Sequence, residues 1–175
     1  IDYFQAPLLT KYRVLFTERL SELLKHPLDV ESLNSIEKSA KLKVLLAEDD
    51  PHIAKLIKHS LEREDFEVYC FYDGESAMEA TKNMNLKQTP VHLFLLDILL
   101  PKFHGFEILE LIRQLPVTRD IPVVMLTAME RREDFERAKE LGANDYIGKK
   151  NFSPLELPQR LKNILNPDDV HSSQK

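Results

Sequence analysis

The sequence predicts an α/β domain, a five-stranded parallel doubly wound sheet with helices on both faces, preceded by an N-terminal helical hairpin extension. Three observations lead there. From Lys43 onward, short apolar runs alternate with stretches of helical periodicity, the element order of a parallel sheet with crossover helices. The run Val91-His92-Leu93-Phe94-Leu95-Leu96-Asp97 is apolar almost throughout and stops on a carboxylate, as suits a strand covered on both faces whose end carries chemistry. Before Lys43 the period is that of helices alone.

Composition bounds the reading. A chain of 175 residues with 43% hydrophobic content can bury one ordinary core plus an appendage. The net charge of -5 gives no global basic field for nucleic acid, and Lys149-Lys150 is too short a basic run to make a direct nucleic-acid site. The lone Cys70 cannot form an internal disulfide, which fits a reducing, cytoplasmic setting, and its apolar surroundings predict an inert core thiol. No run reaches the roughly 18 apolar residues of a membrane helix, and no signal-peptide layout opens the chain, so no membrane partner is expected. The start at Ile1 rather than Met is expected to be a processed end or a cut from something longer.

The elements follow in order. Leu8, Tyr12, Leu15, Phe16, Leu20, Leu23 and Leu24 form one stripe on a helix over about 6–26, ended by His26-Pro27. Asp29 is a candidate N-cap for a second helix with Val30, Leu33 and Ile36 on one side. Two helices cannot bury such stripes alone, so residues 1–41 must pack on the main domain, a symmetry mate or a neighbouring domain, and a homodimer through them is one outcome. The main domain is expected over 42–166, with a flexible polar tail over 167–175.

Within it, strand one runs from Lys43 to Glu48 and a helix from Pro51, whose missing N–H costs nothing in a first turn, to about Arg63. Strand two covers Glu67 to Tyr72, and Asp73-Gly74 turns into a helix from Glu75 to Met84. After the strand ending on Asp97, a helix begins near Gly105, strand four spans Ile121 to Thr127, and a charged helix from Arg131 to Leu141 stops at Gly142. Strand five is short, Asp145 to Ile147. The last helix either begins near Ser153-Pro154 and is kinked at Pro158, or begins near Leu157.

The strand ends carry the chemistry. Glu48 and Asp49 leave the same edge as Asp97, and three carboxylates so close need a cation to neutralise them. A hard divalent ion held by oxygen ligands, Mg²⁺ above all, suits that set. Thr127 ends strand four and Lys149 follows strand five, adding a hydroxyl and an ammonium. Such an edge binds a phosphoryl group, with Asp97 as nucleophile and Thr127 and Lys149 holding its oxygens. Asp50, before Pro51, is read as a helix cap. The six histidines are read as surface or packing residues, since none joins a cysteine or another histidine in a metal-like cluster apart from His52 and His59, which share one helical face.

Glu48-Asp49, Asp97-Ile98-Leu99-Leu100-Pro101 with Gly105, Thr127-Ala128, and Tyr146 three before Lys149 together resemble the receiver domain of two-component response regulators, over about 43–165. The resemblance implies a flavodoxin-like fold and a phosphoacceptor switch in which Asp97 takes phosphate from a histidine kinase or a histidine phosphotransfer protein. It implies that Glu48, Asp49, Asp97 and the backbone carbonyl of Leu99 hold Mg²⁺, and that Thr127 and Tyr146 form a switch pair. The chain departs from the family after Lys149, where Lys150-Asn151-Phe152 stands in place of the usual proline; Lys150 is a substitute for Lys149 if the loop is reshaped. The segment from Arg19 to Lys43 faintly resembles the start of a histidine phosphotransfer domain, but Lys41 stands where the phosphorylated histidine belongs.

Two other functions compete. A phosphohydrolase of the haloacid dehalogenase type also uses an aspartate nucleophile with Mg²⁺, but needs a second aspartate two residues on, where Leu99 stands, so the chain is expected not to be an enzyme. A degenerate receiver would act as a docking module independent of phosphorylation; the intact acids argue against it. Output is expected through a downstream protein, the N-terminal helices or an upstream domain. The receiver resemblance also implies that Leu99 and Met129, apolar and two residues beyond Asp97 and Thr127, flank the approach of water to a phosphorylated Asp97.

Overall fold

The computed structural model describes residues 41–84, 91–151 and 153–166. The expected N-terminal hairpin and polar tail lie outside these residues. A compact unit closes over Leu42–Arg160. Its strands are β1 (Leu42–Ala47), β2 (Phe66–Phe71), β3 (Leu93–Asp97), β4 (Val123–Thr127) and β5 (Asp145–Gly148). Between them lie α1 (Pro51–Glu62), α2 (Gly74–Lys82), α3 (Gly105–Gln114) and α4 (Arg132–Glu140), and a 3-10 turn over Lys149–Asn151 precedes α5 (Leu157–Leu165).

All strand pairs are parallel, in the order β2-β1-β3-β4-β5. β3 and β4 are buried at every position and β1 over its last four, so the sheet is covered on both faces, as the unbroken apolar runs require. One face presents Leu45, Ala47, Phe94, Leu96, Val123 and Met125 to Ala77 of α2, Phe106, Ile108, Leu109 and Ile112 of α3, and Ala138 of α4. Right-handed crossovers put α1, which buries Ala54, Ile57 and Leu61, on the other face, because β1 to β2 runs opposite to every later step.

Local chemistry sets the boundaries. Asp50 caps α1, accepting from the N–H groups of His52 at 2.8 Å and Ile53 at 3.3 Å. Asp73 caps α2 through Ser76 N–H at 2.8 Å, starting that helix one residue before the expected Glu75. Gly142, at φ 84°, follows the end of α4 in the left-handed region open to glycine. β2 begins at Phe66, one residue earlier than read. β4 begins at Val123 rather than Ile121, since Pro122 has no N–H to give the ladder. α5 begins at Leu157 and places Pro158 in the first turn, where no helical bond is lost, which decides between the two starts left open. Cys70 is only half-buried, a correction to the core position expected, because β2 is the sheet's edge; partial burial still raises its thiol pKa.

His92 does more than pack. Its N–H donates to the Lys43 carbonyl at 2.8 Å and its Nδ1 accepts from the Lys43 N–H at 2.9 Å, so the ring extends the β1–β3 ladder by one bond. Accepting at Nδ1 requires the neutral ring, and burial, with Lys43 nearby, lowers the His92 pKa. Below about pH 6.5 the unfolded chain takes up a proton that the folded ring excludes, so this contribution is complete above that pH and is lost as pH falls toward the lower folded value. The urea midpoint of the parent should therefore fall further between about pH 7.5 and 5.5 than that of His92→Asn, whose amide oxygen still accepts from Lys43; equal slopes would exclude the linkage.

Candidate functional site

The strand order reverses between β1 and β3, and in an open parallel sheet this opens a crevice at the carboxyl ends of those strands. Register brings the acids there. Ala47 pairs with Leu96, so Glu48 and Asp97, each one residue further, leave the edge side by side. Both are buried, Glu48 at 0% exposure and Asp97 at 3%, while Asp49 faces solvent. The three offer carboxylate oxygens within 4.8 Å of one another.

Lys149, just past β5, reaches into this edge. Its Nζ donates to Asp97 Oδ2 at 2.7 Å and to Glu48 Oε1 at 2.8 Å. The ammonium also lies 2.6 Å from Glu48 Oε2, but at an angle that gives this buried oxygen no hydrogen bond. Lys149 therefore keeps the reach expected of it despite the missing proline, every described peptide bond is trans, and Lys150 is exposed. Burial raises the pKa of Glu48 and of Asp97, with Lys149 opposing in each case. For Lys149, burial works against the charge, but its bonds to Asp97 and Glu48 outweigh it and raise the pKa.

The remaining residues sit around this centre. The Leu99 N–H donates to Asp97 Oδ1 at 3.3 Å, while the Leu99 side chain is 42% exposed. Thr127, 1% exposed, donates its hydroxyl to the Met129 carbonyl at 2.8 Å and accepts from the Met129 N–H at 3.1 Å. The Tyr146 hydroxyl points at the same carbonyl from 3.4 Å, and its half-buried ring meets Phe135 of α4 edge-on at 5.7 Å. Sequence reasoning missed the Met129 carbonyl as the shared acceptor and Phe135 as the ring's partner. A carbonyl leaves no trace in residue identity, and nothing in the sequence pairs Phe135 with Tyr146. Gly105 is required by approach: a Cβ there would lie 2.1 Å from the Asp97 carbonyl, so the loop after β3 folds directly over the strand end.

The donor set suits a hard cation. Glu48, Asp49 and Asp97 offer oxygens within 4.8 Å of one another and Asp49 faces solvent, a donor set of the kind a hard cation takes while keeping several waters. No second group of three acid, histidine or cysteine ligands occurs among the described residues.

The chain is similar in sequence and fold to known proteins. The profile of the response regulator receiver domain matches residues 44–162. The transcriptional regulatory protein CpxR of Escherichia coli (strain K12) is 39% identical over 123 residues, covering 70% of this chain and 49% of CpxR. The chain thus spans about half the length of the curated relatives it matches. A CheY-like receiver domain protein from Methanospirillum hungatei JF-1 superposes with a TM-score of 0.65 at 26% identity, covering 75% of this chain and 98% of that one. The Mn(2+)-bound form of response regulator Rcp1 superposes with a TM-score of 0.61 at 30% identity, covering 70% and 92%. No helix among the described residues is long and apolar enough to cross a membrane.

Replacing Lys149 with Met strands two buried carboxylates and should cost about 3 kcal/mol of stability at neutral pH. The raised carboxylate pKa values fix the sign of the remainder: the fold favours the protonated acids, so stability should recover as pH falls and be lost as pH rises through those values. Denaturation of Lys149→Met and parent at pH 5 and 7.5 checks it, and a loss independent of pH would contradict the pairing.

Proposed function

Because the chain belongs to the response regulator receiver domain family, we propose that it is the phosphoacceptor switch of a two-component system. A histidine kinase or histidine phosphotransfer protein donates the phosphoryl group to Asp97, and output passes through contacts with a downstream protein or another domain. The reading rests on one observation above others, a buried carboxylate at the sheet's carboxyl edge held 2.7 Å from an ammonium and within 4.8 Å of two further acids.

Asp97 is the nucleophile. One of its oxygens attacks phosphorus as the bond to the donor imidazole nitrogen breaks, and the imidazole leaves with the bonding pair and takes up a proton. Lys149 already stands beside the attacking oxygen and turns to hold a phosphoryl oxygen as the carboxylate becomes an acyl phosphate. Thr127, now bonded to the Met129 carbonyl, is the hydroxyl that rotates to a second oxygen. Its departure frees the acceptor it shares with Tyr146 and couples phosphorylation to the Tyr146–Phe135 contact between β5 and α4. Glu48, Asp49, Asp97 and the Leu99 carbonyl would hold Mg²⁺, which supplies positive charge against the phosphoryl oxygens when bound. On this reading the chain is a switch and not an enzyme acting on a separate substrate.

Phosphorylation by acetyl phosphate with Mg²⁺ should place an alkali-labile label on the parent and none on Asp97→Asn, because an amide is no nucleophile; label retained by a folded Asp97→Asn protein would sink the assignment.

The phosphorylated state should be long-lived. Leu99 and Met129 are 42% and 39% exposed, and both are apolar, so neither side chain can orient a water for in-line attack. Leu99→Asn with Met129→Glu should speed loss of phosphate by about tenfold or more, followed by phosphate release in Mg²⁺. An equal or slower rate would mean that access to Asp97 is controlled elsewhere.

A further inference from the structure

β5 is the edge of the sheet: β4 bonds one side of it, and among the described residues no strand bonds the other. An edge strand leaves outward N–H and C=O groups to be satisfied by other means. On the outer side of β5, Tyr146 has both groups occupied. Its N–H donates to Asp145 Oδ1 at 2.8 Å, and its carbonyl accepts from an Arg160 guanidinium N–H at 3.3 Å. The same guanidinium grips that carboxylate in a fork, Nε to Asp145 Oδ2 at 2.5 Å and a terminal nitrogen to Asp145 Oδ1 at 2.8 Å. Asp145 and Arg160 thus stand in for one residue of a missing neighbouring strand, at the residue that bears the Tyr146 ring. Ile147 then buries its side chain, and Gly148 passes under Glu130, where a Cβ would lie 2.0 Å from a carboxylate oxygen. The next residue is Lys149.

We propose that Arg160 is a positioning residue of the phosphoacceptor site: by closing the outer edge of β5 at Tyr146 it fixes the strand from which Lys149 reaches Asp97. The chain has particular need of such a tether, because the residue after Lys149 is Lys150 and not a proline whose ring would stiffen the loop. With the inner edge paired to β4 and the outer edge pinned two residues before Gly148, the last turn of backbone carries its lysine in one direction. Lysine at 160 would keep the charge but not the planar fork, since an ammonium is a single point of contact. The proposal rests on the phosphoacceptor reading for its functional consequence, though the tether itself does not.

The test uses the full chain as parent, Arg160→Lys and Arg160→Gln. Amide spectra of the metal-free proteins should show resonances of 145–150 shifted and broadened in both variants, with β1 and β3 unchanged. Affinity for beryllofluoride in Mg²⁺ should fall about tenfold in Arg160→Gln, with Arg160→Lys recovering only part of it, the scale typical of losing a residue that orients a ligand. Perturbation of β1 and β3 along with β5, or beryllofluoride affinity equal to the parent's, would overturn a positioning role. A parent that does not bind beryllofluoride would refute the phosphoacceptor reading instead, while confinement of the amide changes to 145–150 would still uphold the tether.

Discussion

Two carboxylates, Glu48 and Asp97, are buried side by side, and the ammonium of Lys149 is what makes that tolerable. Removing each ion from water costs several kcal/mol. A unit charge pair at such contact distances recovers about 6 kcal/mol gross at an effective dielectric of about 20. Three ions leave water against two such attractions and one carboxylate–carboxylate repulsion, so opposing terms of similar size leave the triad close to balance rather than deeply stabilised. A site near balance can exchange partners: a phosphoryl group on Asp97 or a cation beside Glu48 alters the sum by amounts comparable to the sum itself.

The rest of the structure can be read as the means of bringing those three groups together. Parallel pairing puts every strand's carboxyl end on one edge, and the reversal of order at β1 and β3 separates the loops there so that the acids are reachable. Lys149 lies 101 residues from Glu48 and 52 from Asp97 in sequence, and the β1–β3–β4–β5 ladder spans that separation. Glycine appears where the backbone crowds the site, at Gly105 against the Asp97 carbonyl.

The same ladder links the centre to the surface. Thr127 ends β4 and Tyr146 lies within the adjacent β5, and the hydroxyls of both turn to one carbonyl, that of Met129. An acceptor shared by a buried hydroxyl and a half-exposed ring is a natural relay, because occupancy by one changes what the other finds. The Tyr146 ring also meets Phe135 of α4, itself 47% exposed, so contacts run from the strand ends to the surface of α4.

The sequence by itself determined the fold class, the strand that ends on Asp97, the Asp50 cap, and the acids, hydroxyl and lysine at the strand ends. These are properties of periodicity and side-chain chemistry, which residue identity carries directly. It marked the loop after Lys149 as a departure but could not say where the lysine would point. Only the tertiary structure decided that Lys149 spans Glu48 and Asp97, that Pro158 falls in a first turn, that His92 completes a ladder, and that Cys70 sits half-open on an edge. Each of these depends on which backbone or side chain lies across a gap, through strand order, register and the direction of a carbonyl. Those are relations between residues far apart in the chain, fixed when the sheet assembles and not by any one of its segments.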